Sequence, residues 1–230
     1  MTVQNTDPRA IAANASPELM ADRAYRALVM QLRDGRLASG NFLSIPMLVD
    51  QLEMPTAAVR DAVKRAETSG LFTVIPKRGV MVMDAGAQTT RECLDLRAMF
   101  DCDGARRLIQ SGDDIPLQAL RHAHERLRDD VADTLMPGLS ARAIETDLSL
   151  HDALSAGIRS TLAARLYSEN RDRIAVIQNT RPFLPDRIAS AMTEHLAIIS
   201  ALEARDVEAT VEAIRDHLDN TLRWWGVSAC

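Results

Sequence analysis

Asp147 and His151 stand four residues apart in TDLSLHDAL, and His195 and His217 lie in two later segments, TEHLAIISAL and IRDHLDNTL. A step of four places two side chains on one face of a helix, about one turn apart. One carboxylate and three neutral imidazoles make a donor set suited to a divalent transition metal, with zinc and nickel the best matched. The chain has only five histidines, and three belong to this set. The other two, His122 and His124, lie near Arg121, Glu125 and Arg126 and read as surface residues.

The neighbours of these residues say which way they face. Ile188, Met192, His195, Ile199 and Leu202 follow three–four spacing, so His195 interrupts an apolar stripe. Ile144, Leu148, His151 and Ser155 do the same, with Asp147 beside them. A carboxylate facing a core is costly unless it is paired, hydrogen-bonded or bound to metal. A metalloenzyme would also need a general base. Glu194 is the one candidate, and one residue from His195 it points elsewhere on the helix; no Ser/His pair or glycine-rich phosphate loop accompanies the set. The pattern predicts a binding site without catalysis.

The elements that must position this site are helical. From residue 88 onward the periodicity stays near 3.6, broken near Gly112–Pro116, Pro137–Gly138, Pro182–Pro185 and Arg205–Asp206. That spacing predicts about six helices, over 88–110, 116–134, 140–156, 159–180, 185–204 and 206–225, packed as an antiparallel all-α bundle. Residues 84–87 open a small, polar linker. Ahead of it, 18–34, 45–53 and 55–69 read as helices, and LFTVI and VMVMD around the PKRG turn read as a β-hairpin. Three helices and a hairpin outline a winged helix-turn-helix over 18–83. The fold class is therefore mainly α, a winged helix-turn-helix head followed by a helical body at 88–225.

Charge divides along the same line. The net charge is −5, yet residues 1–83 carry 10 Lys/Arg against 8 Asp/Glu, while 84–230 carry 17 against 24. Both lysines, Lys64 and Lys77, fall in the head, which suits an anion-binding head on an acidic body. No apolar run approaches the roughly 20 residues of a membrane helix, and the polar N-terminus lacks a signal pattern, so a cytoplasmic placement with no membrane contact is expected. Cys93, Cys102 and Cys230 are widely spaced and read as reduced thiols, the first two as buried helix residues.

Residues 20–83 resemble the GntR-type winged helix domain, through helix one, Gly35-x-Leu37-x-x-Gly40, a short helix, the 55–69 helix, Gly70-Leu71 and the Pro76-x-Arg78-Gly79 wing. The resemblance implies that helix 55–69 enters the major groove of operator DNA and that the wing touches the backbone or minor groove. Arg60, Lys64, Arg65 and Thr56 on that helix, with Lys77 and Arg78 at the wing tip, are the implied DNA-contacting residues. The family's usual Ser-Arg start is Pro55-Thr56 here, which removes a side-chain cap and one bidentate contact. A sensor with weakened or altered DNA recognition is the alternative this raises.

Residues 88–225 resemble the FCD ligand-binding domain of FadR-type GntR regulators, through Asp147-x3-His151, Glu194-His195 with the later ALEARD segment, and Asp216-His217-Leu218. The resemblance implies metal ligation by Asp147, His151, His195 and His217. It also implies a small carboxylate effector clamped by an arginine on the first body helix, a place matched by Arg97. Arg173 and Asn179, on the fourth body helix, are further candidates to line the effector cavity. The family's usual Ser-Gly-Asn is Ala156-Gly157-Ile158. A homodimeric repressor relieved by a small organic acid is the function these likenesses imply.

Overall fold

A computed structural model describes residues 19–131, 138–181 and 184–227. Glu18 at the start of the predicted head, the 132–134 end of the second predicted body helix, Pro137, Pro182 and Cys230 lie outside the described residues.

The head begins with α1 (Met20–Arg33), followed by β1 (Phe42–Leu43), α2 (Ile45–Leu52), α3 (Thr56–Thr68), β2 (Phe72–Ile75) and β3 (Gly79–Val82). Ser44 caps α2 by accepting from the Met47 amide, and Pro46 sits in its first turn, where its missing N–H costs nothing. Glu53, in the left-handed region at φ 52°, ends α2. Pro55 is the N-cap of α3 and supplies no side-chain hydrogen bond, so the loss of the serine cap is visible in the backbone. Alanines and valines at Ala58, Val59, Ala62, Val63 and Ala66 give α3 a thin buried face that lets it lie close to α1. The sheet holds one strand more than the predicted hairpin. Its order is β1-β3-β2, antiparallel throughout, with Phe42 opposite Met81 and Phe72 opposite Val82. β1 is two residues long, too short for an alternation signal to register.

The body contains six helices among the described residues: α4 (Ala87–Ser111), α5 (Leu117–Asp130), α6 (Leu139–Ser155), α7 (Thr161–Gln178), α8 (Pro185–Glu203) and α9 (Val207–Trp224). Helix α4 packs against α6, α7 and α9, and α8 against α5 and α9. Gly104 permits the α4–α6 approach, because a Cβ there would stand 2.0 Å from the Leu154 carbonyl oxygen. One apolar cluster runs from Leu28, Leu32 and Leu71 of the head into Leu94, Ile177 and Leu222 of the body, so the two parts share a core. Cys93 and Cys102 are free and buried. No described helix is long and apolar enough to cross a membrane.

Candidate metal centre

Helix α6 presents Asp147 and His151, α8 presents His195 and α9 presents His217, and one donor atom from each lies within 4.8 Å of the others. His195 Nε2 and His217 Nε2 are 3.2 Å apart, and Asp147 Oδ1 stands 3.5 Å from His195 Nε2 and 4.0 Å from His151 Nε2. Metal–ligand bonds of roughly 2.0–2.2 Å place adjacent ligand atoms roughly 3–3.5 Å apart, so the His195–His217 and Asp147–His195 separations match a shared cation and the Asp147–His151 distance is slightly long for one. All three histidines are buried.

Their outer hydrogen bonds determine what they offer. His151 Nδ1 lies 2.7 Å from Asp101 Oδ2, and His217 Nδ1 lies 2.7 Å from Glu194 Oε2. A carboxylate only accepts, so both Nδ1 atoms carry the proton. His124 Nδ1 is 2.7 Å from the Leu120 carbonyl and must donate there, which leaves His124 Nε2 to accept from His195 Nδ1 at 3.1 Å. In the neutral ring each Nε2 is then a lone pair, and all three lone pairs point to one spot beside a carboxylate. His151 Nε2 is buried with no hydrogen-bond partner among the described residues. Without a cation the arrangement leaves lone pairs facing each other, so the residues present fit a divalent metal.

Burial holds the His195 and His217 rings neutral. It pushes His195 well below the usual imidazole range, aided by His217, and takes His217 to about 4 despite the Glu194 hydrogen bond. Burial alone would raise Asp147, but the Arg97 guanidinium above all, with the Gln178 hydrogen bond, outweighs it and holds the carboxyl below its ordinary value. The same balance lowers Glu194, where burial is outweighed by His217 and Arg187.

A cavity of about 50 Å3 opens beside the cluster, walled by Arg97, Asp147, Gln178, Arg181, Arg187 and Trp225 with an apolar patch of Ala143, Ile188, Ala191 and Met192. A single water needs roughly 10–15 Å3 by the same reckoning, so a few small groups fit. Arg97, on α4, is 3% exposed, with Nη1 3.4 Å from Asp147 Oδ2 and Nη2 3.4 Å from His217 Nε2. Gln178 donates to Asp147 Oδ2 at 2.9 Å.

The other two residues expected at the effector are placed elsewhere. Arg173 Nε donates to the Ser69 carbonyl at 2.9 Å, and Asn179 Nδ2 donates to the carbonyls of Leu32 (3.1 Å) and Arg33 (2.7 Å). Both stitch α7 to the head, because α7 packs α1 on that side. In the head, Arg60, Lys64, Lys77 and Arg78 line one concavity between α3 and the wing, all exposed, with Lys77 in the left-handed region at φ 62°. Thr56 is exposed at the start of α3. Arg65 turns from that concavity toward α1, pairing with Asp22 at 2.6 Å and covering the Tyr25 ring at 4.2 Å.

Two further expectations, on His124 and Glu194, need correction, and one residue was missed. His124 is fully buried and supports His195, so it is no surface residue. Its place between Leu120 and Leu127 on one helical face was the available signal. Glu194 faces the site after all, because α9 brings His217 to its side. Asp101 was missed; its spacing with Leu94, Arg97, Ala105 and Leu108 marks the inner stripe of α4.

Residues 20–82 match the family model described as bacterial regulatory proteins, gntR family, and residues 92–220 match the FCD domain model. The HTH-type transcriptional regulator BphR of Paraburkholderia xenovorans is 24% identical over 230 residues, spanning 91% of this chain and 89% of its own length. Among solved structures, E. coli McbR/YncC superimposes with a TM-score of 0.73 at 17% identity, over 90% of this chain and 96% of that one. A putative GntR transcriptional regulator from Rhodococcus sp. RHA1 gives 0.73 at 20% identity, over 91% and 99%.

Proposed function

The chain belongs to the GntR family of bacterial regulatory proteins, in the FadR-type branch that carries an FCD domain, and from that premise we propose a metal-dependent effector switch. It is a DNA-binding transcription regulator and not an enzyme. In our reading it acts as a cytoplasmic homodimeric repressor whose hold on operator DNA is set by a small carboxylate. Asp147, His151, His195 and His217 hold zinc or nickel, and Arg97 holds the effector's carboxylate beside it.

The observation carrying this reading is the convergence of three imidazole lone pairs and one carboxylate beside a buried guanidinium in a cavity wall. The Arg97 pair with Asp147 is long, at 3.4 Å, so its guanidinium keeps donors for an effector carboxylate, and a bound metal would supply a Lewis-acid position beside it. Residues touching both parts offer a route to the head. Arg181 lines the cavity and its Nη2 donates to the Ala85 carbonyl of the linker at 3.1 Å, while Arg173 and Asn179 bind head carbonyls. An effector moves the equilibrium only as far as it binds the two arrangements differently.

For DNA, Arg60, Lys64, Lys77 and Arg78 form the contact surface; Arg65, engaged with α1, and Thr56, a short hydroxyl, contribute less. Footprinting on the region upstream of the chain's own coding sequence, across a salt series, tests this. A specific footprint whose affinity falls steeply with salt is expected, with R60A weakening it by about 1–3 kcal/mol. No specific complex at low salt would contradict the regulator reading and favour a sensor with altered DNA recognition.

A further inference from the structure

Three guanidiniums line the cavity, and two of them are matched by carboxylates. Arg97 stands 3.4 Å from Asp147 Oδ2, and Arg187 donates to Glu194 Oε1 at 2.9 Å and to Thr221 Oγ1 at 2.7 Å. Arg181 differs. Among the described residues its Nη2 reaches only neutral oxygens, the Ala85 carbonyl at 3.1 Å and Thr90 Oγ1 at 2.9 Å. Its Nε is buried without a hydrogen-bond partner, and no described carboxylate pairs with it. Burial pushes its pKa down, and no described residue supplies a charge to oppose the shift. The Trp225 ring, 5.6 Å from its Cζ, shields it further and lines the same cavity.

A buried donor left unpaired costs about 1–3 kcal/mol, and more when charged. The cavity therefore has one cation matched to the metal end and a second waiting for an anion. Between them the wall is hydrocarbon: Ala143, Ile188, Ala191 and Met192. Methylenes suit that wall better than hydroxyls do.

Resting on the effector reading above, we propose that the cavity takes a short dicarboxylic acid. One carboxylate sits by Arg97 at the histidine cluster, the hydrocarbon spacer lies on the apolar wall, and the second carboxylate accepts from Arg181 Nε. Arg181 is thereby the residue that selects a diacid over a monoacid.

Succinate and butyrate share a four-carbon chain and differ by one carboxylate, so calorimetry of both acids on the zinc-loaded full chain isolates the second group. The wild type is expected to bind succinate at least about tenfold more tightly. R181Q is expected to bring the two affinities together while leaving butyrate within about twofold of its wild-type value. Should R181Q fail to fold, R181K carries the same comparison, since lysine keeps the charge but has no Nε–H at that position; it is expected to lose most of the preference. Equal binding of both acids by the wild type, or a succinate preference that survives in R181Q, overturns the diacid proposal and leaves a monocarboxylate effector standing. Binding of neither acid overturns both readings.

Discussion

At the scale of single residues, each imidazole of the cluster is fixed by a different partner: Asp101 for His151, His124 for His195 and Glu194 for His217. These partners set the tautomers, so the cluster is a prepared donor set whose rings need no reorientation. Neutral buried rings also carry a pH signature. An unfolded histidine titrates near 6.5, whereas His217 is held at about 4 and His195 well below 6.5. The folded pKa values are depressed, so between about pH 6.5 and 4 the unfolded chain binds more protons, and stability falls as the pH is lowered through that window. Urea denaturation of chelator-treated protein is expected to lose a few kcal/mol between pH 7 and pH 5–4, at about 1.36 kcal/mol per unit; a flat profile would contradict neutral buried histidines. The four donors were legible in the sequence because spacing and apolar neighbours suffice to mark an inward-facing polar residue. Asp101 and His124 were not picked out, and Glu194 was dismissed, because each takes its role from a ring on another helix.

Among the elements, α4 carries the most: Arg97 toward the cavity, Asp101 toward His151, and Gly104 against α6. The Leu154 carbonyl that a Gly104 side chain would strike is α6 backbone, three residues beyond His151, and cannot swing aside like a side chain. G104A is expected to cost about 1–3 kcal/mol in urea denaturation and to weaken metal retention by moving Asp101 from His151. An unchanged midpoint would show that α4 and α6 have slack. The six body helices were readable from period and breakers, within a few residues at each end. The direction of α7 was not. Arg173 and Asn179 sit on its head-facing side because Ile174 and Ile177 pack into the core shared with α1, and no single-sequence pattern reveals which neighbour a helix face meets.

Across the whole molecule, the winged head and the helical body are joined by a continuous apolar cluster and by cations that donate to head and linker carbonyls. In the proposed switch, that continuity is the route by which filling a cavity in the body would alter the DNA-binding surface of the head. The family and architecture were legible because the wing, the recognition helix and the ligand spacings each leave a local signature; the seam between the parts leaves none. Everything proposed for the effector depends on the metal proposed for the floor of its cavity. The most direct test is elemental analysis of untagged protein beside H195A. The account predicts about one zinc or nickel per chain in the wild type and none in H195A, with a matching drop in thermal stability. Metal-free wild-type protein that takes up neither ion, with stability equal to that of H195A, would contradict it.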